Sequence, residues 1–179
     1  MKRAQGRRGE MRGILIETDI GVCGLAWSPA GLVSLMLPGA DPREVAGDLA
    51  RAAAITSLQD APQWINRAVT AIRTLLSTGK TDFTGIPLDL AGVPPFHRKV
   101  YQRLKKVPPG TVITYSQLAR QCGNPRAARA VGQAMAKNPL PLVIPCHRVI
   151  SSGKSPGGFS AYGGVFTKLS LLSREGVKL

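Results

Sequence analysis

The second half of this sequence lacks acidic residues almost entirely. Between residues 90 and 174 there is no Asp or Glu, whereas thirteen Lys and Arg side chains lie there. The first 89 residues hold ten basic and nine acidic side chains, so they are nearly neutral. A polycation with no acids of its own to pair with favours a polyanionic partner, and nucleic acid is the first candidate. A basic face that is merely solvated is the alternative that charge alone leaves open.

The sequence also lacks the features of membrane-spanning, secreted and disulfide-rich proteins. No stretch approaches the roughly 18 uncharged apolar residues that a membrane span needs, and no basic amphipathic helix stands out, so we expect no membrane partner. Glu17 and Asp19 interrupt the apolar stretch that follows the basic first dozen residues, so secretion is not expected. Three cysteines do not make a disulfide framework and indicate reduced thiols in the cytoplasm.

Histidine and closely spaced cysteine are too scarce for a metal site. The two histidines, His97 and His147, and the three cysteines show neither C-x-x-C nor H-x-x-x-H spacing. We therefore predict no metal and no cofactor. Cys23 and Cys122 are interpreted as small buried hydrophobic residues without chemistry of their own.

Residues 1–92 are predicted to form an α/β domain that begins with a basic tail at 1–12. Short apolar runs separated by Gly and Pro predict a small antiparallel sheet. These runs are residues 14–20, 22–27 and 32–37. Helices with one apolar face are expected from Pro42, capped by Asp41, to Ala54 and from 62 to 78, where Gly79 ends the second helix. Residues 83–92 predict a weaker strand and loop.

Residues 93–179 are predicted to form a second, mainly helical domain. Val93-Pro94-Pro95 marks its start, because consecutive prolines interrupt regular structure. Apolar residues at i, i+4 and i+8 predict a helix over 96–107. A last helix is expected to begin near Gly164.

Two short helices in the second domain are typical of a helix-turn-helix. The first is expected over 115–121, capped by Thr114, and the second over 126–137 after Pro125. Cys122-Gly123-Asn124 forms the turn between them. Many helical hairpins bind nothing, but the surrounding positive charge favours DNA binding.

A cysteine, a histidine and an arginine follow a proline-rich connector. Residues 138–145 carry three prolines and cannot be helical, so they deliver Cys146-His147-Arg148 to a fixed place. A nucleophilic cysteine must be a thiolate, and its pKa falls beside an imidazole or a positive charge. A buried structural cysteine is the equally open alternative.

A histidine base needs an acceptor that orients it, and acids are scarce here. Glu175 is the only carboxylate between residue 90 and the C-terminus. Either Glu175 orients His147, or an acid from the first half does, or there is no triad. A surface pairing of Glu175 with Arg174 or Lys178 is the structural alternative.

Four segments of the second half carry a resemblance to a known family. They are Thr114-Tyr115, Gly123 to Gly132, Asn138-Pro139 and Pro145-Cys146-His147-Arg148-Val149. Together they resemble the O6-alkylguanine-DNA alkyltransferases, also called methylated-DNA–protein-cysteine methyltransferases. The resemblance is dense from Phe96 to Gly176 and holds only in outline before that. It implies a ribonuclease-H-like first domain and a winged-helix-like second domain.

The resemblance implies direct-reversal DNA repair. The alkyl group of O6-alkylguanine, and less readily of O4-alkylthymine, would move irreversibly onto Cys146 after the base is flipped out of double-stranded DNA. Each molecule would react once. His147, through water, and Glu175 would keep Cys146 ionised. The protein is expected to be a cytoplasmic monomer that associates with the nucleoid when bound to DNA.

The resemblance also implies roles for residues around the nucleophile. Arg129 would enter the base stack in place of the flipped base, and Tyr115 would aid the flipping. Asn138 would be the hinge between the recognition helix and the active-site loop. The further DNA-binding positions are Arg126, Ala127, Ala128, Ala130 and Gly132. The further positions expected at the pocket are Pro141, Arg148, Val149, Phe159 and Tyr162.

One departure and two rival functions remain open at this point. The stretch 151–164 is about two residues longer than the common family form, so the sequence does not decide whether Phe159 or Tyr162 covers the flipped base. A damage-binding protein that transfers nothing is the first rival, and the presence of Cys146 argues against it. A cysteine hydrolase is the second, although its Cys and His normally lie far apart in sequence.

Overall fold

A four-stranded sheet organises the N-terminal half. The structure, a computed structural model, describes residues 11–179. The strands are β1 (Arg12–Thr18), β2 (Gly21–Ser28), β3 (Gly31–Met36) and β4 (Ala54–Ile55), in the order β3-β2-β1-β4. The first three strands pair antiparallel, as the sequence predicts. The sheet is nevertheless mixed rather than antiparallel, because the chain returns through a helix and β4 joins β1 in parallel.

Two helices pack on opposite faces of this sheet. They are α1 (Pro42–Ala52) and α2 (Gln63–Thr78). Side chains alternate between the two faces of a strand. On β2, Leu25 therefore faces the main core with α2, and Ala26 lies in a smaller cluster with Leu49 of α1.

Four α-helices and two short strands are the main elements of the C-terminal half within the described residues. They are α3 (Pro95–Leu104), β5 (Ile113–Thr114), α4 (Tyr115–Gln121), α5 (Ala128–Ala136), β6 (Val149–Ile150) and α6 (Val165–Arg174). β5 and β6 pair in parallel. Thr114 caps α4 as predicted: its hydroxyl accepts the Gln117 backbone N–H at 3.1 Å, and the Gln117 side chain accepts the Thr114 N–H at 2.8 Å.

Several predicted boundaries change in the structure. α5 begins at Ala128 rather than Arg126, because Asn124 holds a turn in front of it: its side chain accepts the Arg126 N–H at 3.2 Å and its carbonyl accepts the Ala127 N–H at 3.0 Å. The other helix ends agree with prediction to within three residues. The strand predicted within 83–92 is reduced to a single bridge between Leu88 and Leu32.

One apolar core runs through both halves. It joins Leu25 of the sheet to Leu104 of α3 in a continuous cluster. The division at residue 92, the ribonuclease-H-like first domain and the winged-helix-like second domain stay predictions. Of the predicted basic tail, Arg12 begins β1 and residues 1–10 lie outside the described residues. Across residues 11–179, no helix is long and apolar enough to cross a membrane.

Candidate active site

Cys146 follows a connector that has no regular structure, as the prolines predict. Residues 138–145 form successive turns. Leu142 has φ +71°, a left-handed conformation that no other non-glycine residue adopts within the described part of the chain. A short 3₁₀ turn, Cys146–Arg148, leads directly into β6.

Asn138 and the N-terminal sheet hold this connector in place. The Asn138 amide donates to the Ile144 carbonyl at 2.7 Å, and its side-chain oxygen accepts the Leu140 N–H at 3.0 Å. From β3, the Leu35 N–H donates to the Pro139 carbonyl at 2.8 Å. The segment that carries Cys146 is therefore fixed by both halves of the molecule.

His147 and Glu175 form a buried pair. Nε2 of His147 lies 2.8 Å from Oε1 of Glu175, and each side chain is 1% exposed. Glu175 is the residue that ends α6, whose start near Gly164 agrees with prediction. The structure thus brings His147 and Glu175 together, and Glu175 does not make the surface pairing with Arg174 or Lys178.

Arg148 shares the same carboxylate. Its Nε and Nη2 lie 3.0 and 2.8 Å from the two oxygens of Glu175, and its Nη1 donates to the Val107 carbonyl at 2.6 Å. The Gly110 N–H adds a fourth donor at 3.2 Å. The Arg148 guanidinium is therefore turned toward Glu175 and the Val107 backbone, and its place at the pocket stays a prediction.

The charges of this cluster make His147 a neutral base. Burial raises the pKa of Glu175, but hydrogen bonds from His147 and Arg148 outweigh burial and bring it to about 2. Burial lowers the pKa of His147, and Glu175 only partly opposes this. With Nε2–H donating to Glu175, the lone pair lies on Nδ1. Among the described residues, Nδ1 is the one buried side-chain nitrogen or oxygen without a hydrogen-bond partner.

The burial of Cys146 opposes the ionised form that the family resemblance implies. Its residue exposure is 6%, and burial raises its pKa. The Asn138 side chain, the charge of Lys168 and the local backbone N–H groups lower the pKa by less. The loss of water around a developing thiolate therefore outweighs the positive surroundings.

Lys168 of α6 is a site residue that sequence reasoning missed. Its side chain is fully buried, and Nζ donates to the Val149 carbonyl and, at 3.3 Å, to the Gly158 carbonyl. Nζ also lies 6.0 Å from the centre of the Tyr115 ring. Lys168 therefore ties β6 to the loop in front of α6, directly beside the nucleophile.

The helical spacing of apolar residues in α6 could have predicted that Lys168 is buried. It lies three and four residues before the buried Leu171 and Leu172, so it shares their inward face. A lysine on an apolar face is rarely buried unless its charge is satisfied. Burial lowers its pKa to about 8, while Cys146 opposes this change.

Two cavities reach Cys146, and Phe159 and Ser160 line both. The first has a volume of about 300 Å³ and lies between β3, the start of α1 and the active-site segment, with Pro141 and Tyr162 in its wall. The second has about 280 Å³. It is lined further by Tyr115, Gly132, Met135, Ala136 and Gly158. The second cavity thus joins the nucleophile to α4 and α5.

The residues predicted at the pocket differ in which of the two cavities they line. Phe159 lines both cavities and packs against the core, whereas Tyr162 is 63% exposed and lines only the first. This geometry favours Phe159 as the aromatic side chain that faces Cys146. Val149 is wholly buried in β6 and lines neither of these cavities, and its role at the pocket stays a prediction.

The outer face of α5 presents an arginine beside the second cavity. Arg129 is exposed and lies one helical turn before Gly132, which lines that cavity. Arg126 is exposed in the turn before α5. The small residues around Arg129, namely Ala127, Ala128 and Ala130, are half-buried, and Ala127 also packs against the core. The opposite face packs Val131 into the core.

The remaining cysteines lie away from this site. Cys23 and Cys122 are buried, as predicted, and burial raises the pKa of each. Within residues 11–179 no three His, Cys, Asp or Glu side chains are grouped so that they could hold a metal ion.

Comparison with known proteins identifies the C-terminal half. Residues 95–177 match the family model described as 6-O-methylguanine DNA methyltransferase, DNA binding domain. A methylated-DNA–protein-cysteine methyltransferase of Methanothermobacter thermautotrophicus is 41% identical over 119 residues, which is 66% of this chain and 65% of that protein. The bifunctional transcriptional activator/DNA repair enzyme Ada of Escherichia coli is 33% identical over 174 residues, 97% of this chain and 48% of Ada. The chain therefore spans between about half and two thirds of these relatives.

Solved structures of the same class share the fold. The crystal structure of Mycobacterium tuberculosis OGT in complex with DNA has a TM-score of 0.73 at 29% identity and covers 92% of each chain. The O6-methylguanine-DNA methyltransferase of Pyrococcus kodakaraensis has a TM-score of 0.67 at 27% identity, covering 93% of this chain and 99% of the other. Residues 95–177 of this chain therefore carry a domain similar to the DNA-binding domain of the 6-O-methylguanine DNA methyltransferases.

Proposed function

We propose that this protein repairs O6-alkylguanine in double-stranded DNA by moving the alkyl group onto Cys146. The observation that carries the proposal is the arrangement of Cys146 between two cavities, next to a buried His147–Glu175 pair. The match of residues 95–177 to the DNA-binding domain model and the DNA complex of the similar M. tuberculosis protein support DNA as the partner.

The reaction is a displacement at the alkyl carbon. Sγ of Cys146 attacks this carbon, so that an S–C bond forms while the C–O6 bond breaks. The electron pair of the C–O6 bond stays on the guanine, which takes up one proton, supplied in net terms by the thiol. That proton first leaves Cys146 for Nδ1 of His147, through a water molecule. Because the thioether has no ready leaving group, one molecule repairs one base.

The buried charges suit a proton that moves during the reaction better than a preformed thiolate. A neutral His147 has its lone pair on Nδ1 and accepts the proton there. The imidazolium that results is stabilised by the ionised Glu175, 2.8 Å from Nε2. Lys168 favours the negative charge that develops on the sulfur.

We propose α5 as the helix that enters the minor groove. Arg129 fills the gap in the stack that the flipped base leaves, which its exposed position beside the second cavity supports. The small residues Ala127, Ala128 and Ala130 allow the helix to approach the groove closely. Tyr115 lines the cavity that receives the base, and Asn138 is the hinge.

Finer parts of the proposal rest on the family resemblance. We propose that Phe159 covers the flipped base and that O4-alkylthymine is a poorer substrate. We also propose a ribonuclease-H-like N-terminal domain, a winged-helix-like C-terminal domain, and a monomer that works in the cytoplasm.

Mass spectrometry after incubation with methylated duplex DNA tests the proposal. Trypsin releases Cys146 in the peptide 138–148 and Cys122 in the peptide 121–126, so the two sites are read separately. We expect one methyl group on the first peptide and none on the second. C146S keeps the fold and DNA affinity but transfers nothing, because a serine hydroxyl is far less acidic than a thiol. C122S is the matched control and reacts like the wild type.

Two results of that experiment would reject the proposal. Tight binding of methylated DNA without any modified peptide would indicate a protein that senses damage but does not transfer. More than one equivalent of demethylated guanine per molecule would indicate a catalyst that turns over.

A further inference from the structure

The C-terminal ends of α2 and α6 meet one residue before Glu175. We call the contact between Gly79, which ends α2, and Arg174, the last residue of α6, the α2–α6 junction. Gly79 has φ +72°, and a Cβ atom there would overlap the Arg174 carbonyl and lie 2.8 Å from the Glu175 nitrogen. Only glycine meets both conditions at this position.

The Arg174 side chain strengthens the same junction. The last turn of α2 contains no basic residue of its own. The Arg174 guanidinium donates to the Leu76 carbonyl in that turn and lies 4.0 Å from Oδ2 of Asp19. It thereby supplies the cation that a helix C-terminus favours. Backbone packing and a side-chain cap therefore hold α6 against the N-terminal half.

Glu175 depends on this contact for its position. The groups that donate to its carboxylate, in His147, Arg148 and Gly110, all belong to the C-terminal half. The N-terminal half reaches Glu175 through the backbone of the preceding residue, Arg174. Any displacement of the Arg174 carbonyl moves the Cα of Glu175 and with it the 2.8 Å bond to His147.

We infer that Gly79 and Arg174 are positioning residues for Glu175, so that the N-terminal half sets the geometry of the base in the C-terminal half. This inference rests on the alkyl transfer proposed above. A misplacement of about 1 Å in a catalytic arrangement can cost about 100-fold in rate. The junction therefore acts on the reaction and not only on the stability of the fold.

A matched pair of glycine variants tests the inference. Gly85 also has a positive φ, +76°, but nothing lies within 4 Å of a Cβ built there. G79A and G85A therefore share the backbone strain, and only G79A adds the overlap with Arg174. Both are prepared in the full chain and shown to be folded by circular dichroism.

Two measurements report on Glu175. The first is the single-turnover rate of methyl transfer from methylated duplex DNA as a function of pH. The second is the ¹⁵N and Nε2–H signal of the imidazoles by NMR. The chain has two histidines, so His97 serves as an internal reference for His147.

We expect G79A to slow transfer at least tenfold and to shift or broaden the His147 Nε2–H signal, while His97 stays unchanged. G85A stays within twofold of the wild type in rate and keeps the His147 signal. Equal transfer rates and equal His147 signals in G79A and G85A would overturn the inference. If the wild type transfers no methyl group, the proposed function fails, and the NMR comparison still decides the junction.

A second variant covers the case in which G79A does not fold. R174A removes the cap on α2 without adding an atom, and K178A removes an exposed charge nearby as its control. We expect R174A to slow transfer two- to fivefold and to change the His147 signal, with K178A unchanged. If R174A keeps the wild-type transfer rate and the wild-type His147 signal while G79A fails to fold, the junction only stabilises the fold, and the inference is overturned.

Discussion

Acidic and basic side chains nearly balance in residues 1–92, whereas residues 93–179 set one carboxylate, Glu175, against fourteen Lys and Arg. The N-terminal half forms ion pairs at its surface, such as Asp41–Arg43 and Asp48–Arg51. The side chain of Glu175 is instead 1% exposed and bonded to His147 and Arg148. A half whose single acid lies inside the site has no surface acid of its own to pair with its exposed cations, which favours binding to phosphates.

The exposed and the buried ion pairs also differ in how much stability the protein loses when one partner is removed. Exposed pairs such as Asp41–Arg43 contribute little to stability, since water already solvates both partners. Removing Glu175 would leave Arg148 and His147 without their acceptor in a buried place. The comparison therefore predicts that one acid governs chemistry and stability together, while the surface acids govern neither.

The sharpest test of this contrast is E175Q against E17Q. Gln keeps the size of Glu175 but removes the charge that stabilises a protonated His147, so we expect methyl transfer at pH 7 to fall about 100-fold or more. E17Q changes an exposed acid on β1 and leaves the rate unchanged. Single-turnover kinetics on protein shown to be folded measures both, and an unchanged pH–rate profile in E175Q would exclude Glu175 from the mechanism.

Salt tests whether the basic half binds DNA through phosphates. We expect the affinity for undamaged duplex to fall about 100-fold between 50 and 200 mM salt, because released counterions drive the binding. Removing Arg126 in R126Q lowers the salt slope by about one, whereas R67Q on α2 does not. Fluorescence anisotropy over a salt series measures these slopes, and a flat series would contradict a polycationic interface.

Arg129 separates the base-flipping step from the chemistry at Cys146. We expect R129A to slow repair of duplex DNA about tenfold, because the gap in the stack is no longer filled. Its reaction with free O6-alkylguanine base stays within twofold of the wild type, since no stack has to be opened. Equal losses on both substrates would assign Arg129 another role.

Acid unfolding gives the smallest effect of this series. The folded pKa of Glu175, about 2, lies below the ordinary value of 4.5. Its contribution to stability is therefore complete above pH 4.5 and is lost as the pH falls from there toward 2. We expect the loss of Tm in E175Q relative to the wild type to shrink by roughly 3 °C between pH 7 and pH 3. Thermal unfolding followed by circular dichroism checks this, and a constant difference would mean that the Glu175 charge is not stabilising.

Most elements of the fold follow from local signals. Thr114 and Gly79 begin and end helices as predicted, because caps act within a single turn. The parallel pairing of β4 was not predictable in this way, since it joins Arg12 to Ala54 across an intervening helix. Residues at the start of α5 were misassigned because the Asn124 side chain competes with the helix for backbone N–H groups.

The same distinction between local signals and long-range contacts applies to the candidate site. The sequence by itself determined the residue types, namely a Cys-His-Arg run behind a rigid connector, a single carboxylate near the C-terminus and a basic stretch without acids over residues 90–174. Only the tertiary structure decided that His147 and Arg148 meet at Glu175, that Lys168 is buried against β6 and that burial raises the pKa of Cys146. Composition and spacing act locally, whereas burial and hydrogen bonding depend on which distant segments fold around each group.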